Sequence, residues 1–165
     1  MRDGKLIKIE RPFPDEMLIY LDVCCFNRPF DDQSDLIVRL QTEAKLYVQD
    51  MIRSGSLSLI WSAVMDLENA ANPDINRKVT VGDWQKIGLV DVPVSSRVED
   101  IADKLALIGV KPMDALHVAC AIEAEAEYFL TTDKALLRKM AKHDQLRVVD
   151  PVDFIRVYKE TKHED

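Results

Sequence analysis

The chain has 165 residues, 47% of them hydrophobic and 31% charged, with a formal net charge of −7. That length and apolar content suit one globular domain and exclude a disordered chain, while the acidic balance excludes a general nucleic-acid-coating surface but not a site built of carboxylates. No apolar run approaches the roughly 18–20 residues of a membrane span, and the charged stretch MRDGKLIKIERPFPDE lacks the apolar middle of a signal peptide, so the sequence points to the cytoplasm.

Residues 1–16 stand apart as an N-terminal extension, either an upstream start or an added edge strand carried by KLIKIE. The domain is expected over residues 17–158, with 159–165 a polar tail. MLIYLDV reads as a first strand. The segment after it, DDQSDLIVRLQTEAKLYVQDMIRSG, places Leu36, Leu40, Tyr47 and Met51 at helical spacing and stops at Gly55. SLSLIWS is a second strand and AVMDLENAA a helix closed by Asn72-Pro73. A further helix begins near Asp74 and is interrupted at Gly82. LVDVPV is a short strand, and SSRVEDIADKLALIG a helix with a serine cap and a glycine stop. KPMDALHVACAIEAEA is a helix with proline in its first turn. YFLTT, DKALLRKMAKH, LRVVD and PVDFIRVYKE then alternate strand, helix, strand, helix. A strand–helix rhythm without a long linker predicts an α/β domain around a parallel sheet.

Acids fall where that architecture binds ligands, beyond the carboxyl ends of the strands. Asp22 ends the first strand and Asp133 ends the fourth, so both are expected to be delivered to that edge by their strands, and the neighbours of Asp22 read as poor helix starters. Asp114 lies in the first turn of its helix, and Glu68 follows the second strand by about two helical turns. Each has an ordinary reading: a cap for Asp133, a dipole partner for Asp114, a solvated helix residue for Glu68. Together they can converge on one carboxylate cluster, whose mutual repulsion a divalent cation would relieve. Oxygen ligands suit Mg²⁺ or Mn²⁺, and the chemistry is metal-assisted phosphodiester hydrolysis.

IYLDVCCFNRPF, the helix bearing Glu68, KPMDALHVACA and FLTTDKALLRK, in that order and spacing, resemble the PIN-domain ribonucleases, a family that includes VapC-type toxins of toxin–antitoxin pairs. The resemblance covers about Met17 to Val157. It implies a three-layer α/β/α fold with about five parallel strands, Mg²⁺- or Mn²⁺-dependent cleavage of single-stranded RNA, a homodimer, and a small basic antitoxin as partner. Carried over by position, Asp22, Glu68, Asp114 and Asp133 are the acidic site, and Thr131 is the hydroxyl residue two places before the last acid. Many members carry a Ser or Thr just after the first acid; here Val23, Cys24 and Cys25 stand instead, with Asn27 as a substitute polar group.

Arg28 and Lys134 are candidate phosphate contacts, with Arg138 on the Lys134 face. His117, three residues after Asp114, reads as a hydrogen-bonded helix histidine, Trp61 and Trp84 as core, and the three cysteines as packed thiols with no zinc spacing. Two other readings compete. A phosphoacceptor domain needs an acidic pair after strand one and an acid at the end of strand three, and Asp91 sits inside its strand. A PIN-like scaffold with little nuclease activity would keep the fold and the acids.

Overall fold

The structure, a computed structural model, describes residues 17–163; the expected extension and its edge strand lie outside them. Five parallel strands, β1 (Met17–Leu21), β2 (Leu57–Ser62), β3 (Val90–Val92), β4 (Tyr128–Leu130) and β5 (Arg147–Val149), form one sheet in the order β3-β2-β1-β4-β5. Eight helices connect or follow them: α1 (Val23–Asn27), α2 (Leu36–Arg53), α3 (Ala63–Ala70), α4 (Ile75–Gly82), α5 (Ser96–Leu107), α6 (Pro112–Glu123), α7 (Lys134–Lys139) and α8 (Pro151–His163). Helices lie on both sides of the sheet, which is the three-layer α/β/α arrangement expected. Helix α8 continues to His163, so residues 159–163 of the expected tail are helical.

The order of the strands decides where a site can form. The chain steps from β1 outward to β2 and β3, then crosses back to place β4 on the other side of β1. The connections leaving β1 and β4 therefore diverge, and a crevice opens between their carboxyl ends. Both strands are apolar on both faces, as strands covered by two helical layers must be. Across the pair, Tyr20 stacks on Phe129 with ring centroids 5.1 Å apart. Trp61 and Trp84 are buried around Phe26, and the Trp61 indole donates to Asp66 Oδ1 at 2.9 Å. The helix signals are where the sequence put them: Ser95 Oγ caps α5 by accepting from Val98 N–H, and Gly55 and Gly109 take the left-handed conformation (φ 85° and 89°) after α2 and α5. Among the described residues no helix is long and apolar enough to cross a membrane.

Three expectations are corrected. Leu36, Leu40 and Tyr47 do not face the core with Met51; they are exposed, and α2 turns Gln41, Thr42, Ala44, Lys45, Val48, Gln49, Met51 and Ile52 inward. Polar anchors fix this rotation. Gln41 accepts from Arg28 Nε at 2.8 Å and donates to Asp150 Oδ2 at 2.6 Å, Thr42 donates to the Arg28 carbonyl, and the Lys45 ammonium lies over the Phe26 ring. Burial lowers the Lys45 pKa to about 8. Next, the residues after Asp22 do start a helix: Val23–Asn27 is one short turn capped by Asp22 itself. Finally, β4 ends at Leu130, so Asp133 is delivered by a cap rather than by the strand.

Candidate functional site

Asp22 leaves β1 at the crevice. Its N–H continues the sheet by donating to Leu130 O at 2.9 Å, and the residue is only 5% exposed. Oδ1 accepts from Val23 N–H (2.8 Å), while Oδ2 accepts from the Thr131 hydroxyl (2.9 Å) and the Cys24 thiol (3.4 Å). Thr131 thus stands beside the first acid. Its oxygen also accepts from Asp133 N–H at 3.1 Å, tying the two strand ends together. Cys24 sulfur accepts from Thr132 N–H at 3.3 Å and touches Thr131 Oγ1. The half-buried Cys24 therefore makes the contact expected of Asn27, whose own amide oxygen lies 3.5 Å from Asn72 Nδ2. Cys25 and Cys120 are buried and pack as expected, the Cys25 thiol donating to Leu130 O.

Glu68 comes from α3, which Ser62 starts by accepting from Met65 N–H. It reaches back toward β1 and meets His117 of α6: Nε2 lies 2.5 Å from Glu68 Oε2. The other nitrogen, Nδ1, lies 2.6 Å from the Tyr20 hydroxyl, which is 2.7 Å from Ser62 Oγ. His117 is completely buried. One ligand atom each from Asp22, Glu68 and His117 fall within 4.8 Å of one another. His117 was legible as a helix histidine near Asp114, but its place in this cluster depends on the β1–α3–α6 juxtaposition, which no local signal encodes.

Asp114, in the first turn of α6, and Asp133, the cap of α7, line a common crevice with Lys111 and Lys139. Asp133 Oδ1 accepts from Ala135 and Leu136 N–H, so its capping role and its place at the cleft coexist. Asp114 senses the whole cluster. Burial first, then the charges of Asp22 and Asp133 and, more weakly, Glu68 raise its pKa, with His117 opposing. The Asp22 pKa is also raised, chiefly by burial; His117 and the Thr131 hydrogen bond oppose this and Glu68 adds to it.

The raised pKa values of Asp22 and Asp114 define what the site accepts. Among the described residues, no Lys or Arg forms an ion pair with Asp22, Glu68, Asp114 or Asp133. Anions that repel one another and are denied water are relieved by a divalent cation. Asp22, Glu68 and His117 bring donor atoms close enough together for such an ion, while Asp114 and Asp133 stand outside that group and reach it through their charges. Of the cations expected to hold phosphate, Arg28 is taken up by Gln41 and by Asp31 Oδ2 at 2.9 Å. Lys134 is exposed on the first turn of α7, directly after Asp133, and Arg138 is exposed on the same helix.

The PIN domain model matches residues 19–143, a span that holds all four acids. Among solved structures, VapBC2 from Rickettsia felis, bound to a DNA fragment from their promoter, shares the fold at a TM-score of 0.50 and 10% identity, covering 80% of this chain and 97% of that chain. No curated protein matches the sequence. The resemblance carried by four separated acids, the sheet order that gathers them and the length of the match agree: the chain belongs to the PIN domain family.

Proposed function

We propose that this PIN domain is a Mg²⁺- or Mn²⁺-dependent endoribonuclease that cuts single-stranded RNA and serves as the toxin of a toxin–antitoxin pair in the cytoplasm. The observation that carries the reading is the group of Asp22, Glu68 and His117 at the sheet's switch point, with the charges of Asp114 and Asp133 beside it and, among the described residues, no lysine or arginine ion pair to any of the four acids. PIN domains are generally nucleases, and the likeness to VapBC2 supports the toxin assignment.

When bound, the ion lowers the pKa of an attacking water and neutralises charge on the phosphate. The chain's own residues do the rest. Asp22 is fixed from three sides by Val23 N–H, Thr131 and Cys24, so its carboxylate keeps one orientation in the cleft. Asp133 is fixed by capping α7, and Asp114 projects from the first turn of α6. Lys134, exposed next to Asp133, is positioned to contact the phosphate backbone of the RNA. A small basic antitoxin would present Arg or Lys to the same carboxylates, and a homodimer is the expected assembly.

The test is incubation of the purified full chain with an unstructured RNA oligonucleotide and Mn²⁺ or Mg²⁺. Metal-dependent internal cuts support the reading. A chain that binds the ion and RNA but leaves every RNA intact would instead be a PIN-like scaffold.

A further inference from the structure

We propose that His117 is itself a ligand of the ion held by Asp22 and Glu68, so that the centre carries one imidazole nitrogen among its carboxylate oxygens and selects first-row transition ions such as Mn²⁺ over Mg²⁺. This rests on the reading that the cluster holds a divalent ion, and adds which atoms hold it and which ion they favour.

The spacing permits it. Two ligands of one ion, each at about 2.0–2.2 Å, lie about 3 Å apart when adjacent and about 4.4 Å apart when opposite. The donor atoms of Asp22, Glu68 and His117 already lie within 4.8 Å of one another, so side-chain adjustments of a few tenths of an ångström to about 1 Å bring them onto one centre. Nε2 is the nitrogen that faces the carboxylates, at 2.5 Å from Glu68 Oε2.

The surroundings of His117 supply what a ligand histidine needs on its other side. An imidazole that gives Nε2 to an ion must carry its proton on Nδ1 and find an acceptor there. Tyr20 provides one at 2.6 Å, with its ring edge-on to the imidazole at 5.7 Å between centroids. The phenol can accept from Nδ1 only if it passes its own proton onward, and Ser62 Oγ stands 2.7 Å away to receive it. The chain Ser62–Tyr20–His117 therefore runs in either direction. With Nε2–H donating to Glu68, the Tyr20 hydroxyl donates to Nδ1; with the proton on Nδ1, each hydroxyl rotates to donate the other way.

Burial argues for the second arrangement once an ion is present. A Glu68 carboxylate turned to the ion no longer accepts from Nε2–H, and the completely buried ring has no water to replace it. An orphaned buried donor is costly, and ligation through Nε2 removes the orphan. Imidazole binds Mn²⁺ and its heavier neighbours better than it binds Mg²⁺, which keeps to oxygen and water.

The experiment is electron spin echo envelope modulation of Mn²⁺ added to the full chain, with affinities for Mn²⁺ and Mg²⁺ measured by calorimetry. Wild type should show the ¹⁴N modulation of a directly bound imidazole, replaced by ¹⁵N modulation when the protein is made with ¹⁵N-histidine. His117→Gln should lose the signal, and the preference for Mn²⁺ should fall by about tenfold or more. The labelled wild type decides the matter even if the variant fails to fold. Bound Mn²⁺ without nitrogen modulation overturns this inference and leaves the nuclease reading intact, with His117 only orienting Glu68. Absence of Mn²⁺ binding by the wild type overturns both.

Discussion

Replacing Asp22 by asparagine removes a charge that burial makes costly while keeping the shape that holds β1 to α1. The carbonyl of the introduced amide can still accept from Val23 N–H, and its NH₂ can donate to Thr131 Oγ1, where Oδ2 now accepts. Because burial raises the Asp22 pKa in the folded protein, the unfolded chain binds fewer protons than the folded one as pH rises above the ordinary aspartate value. Stability is then fullest below that value and falls as pH climbs through the raised folded pKa. Each tenfold change in the ionisation constant corresponds to about 1.4 kcal/mol, or roughly 3–6 °C in Tm for a chain of this size. In metal-free buffer at pH 7, Asp22→Asn should therefore melt at or above wild type, and its stability should decline less between pH 4 and 7. Mn²⁺ should reverse the order: at a hundredfold excess over Kd it stabilises wild type by about 2.7 kcal/mol, roughly 5–10 °C, and the variant much less. Differential scanning fluorimetry with and without Mn²⁺ reads both effects. A variant that melts well below wild type without metal, or that gains as much from Mn²⁺, would refute the electrostatic reasoning.

Cys24→Ser should fold and cleave, because a hydroxyl can take over the donation to Asp22 Oδ2, whereas Cys24→Ala should weaken Mn²⁺ binding; titration calorimetry separates the two. Phe129→Ala removes the ring stacked on Tyr20 and should cost about 3–5 kcal/mol in urea unfolding. Leu40→Glu, on the outward face of α2, should change stability by no more than about 0.5 kcal/mol, while Val48→Ala, fully buried on the inward face, should cost clearly more in the same titration.

The α/β class and the five strands were legible because each rests on a local signal: apolar strands, and serine and glycine helix boundaries. The rotation of α2 was not, since its apolar spacing selects Leu36, Leu40 and Tyr47 while the hydrogen bonds that turn it come from Arg28 and Asp150, remote in sequence from most of the helix. The short helix after Asp22 was missed because Val-Cys-Cys-Phe-Asn has poor intrinsic helix propensity, and the cap with tertiary packing overrides that preference. Cys24 reads from the sequence as a packed thiol and His117 as a hydrogen-bonded helix histidine, because the partners that draw them to the site are distant in the chain. Thr131 lies 107 positions from Cys24 and Glu68 lies 49 from His117, so only the folded sheet brings them together.

The most direct test of the central claim is RNA cleavage by the full chain under single-turnover conditions, comparing wild type with Asp22→Asn and Asp114→Asn, each shown to be folded by circular dichroism. Cleavage by wild type should require Mn²⁺ or Mg²⁺, stop on addition of EDTA and return with excess metal, and both variants should be inactive at every metal concentration. Cleavage that persists in EDTA, or an Asp22→Asn protein that cuts as fast as wild type, would contradict the account.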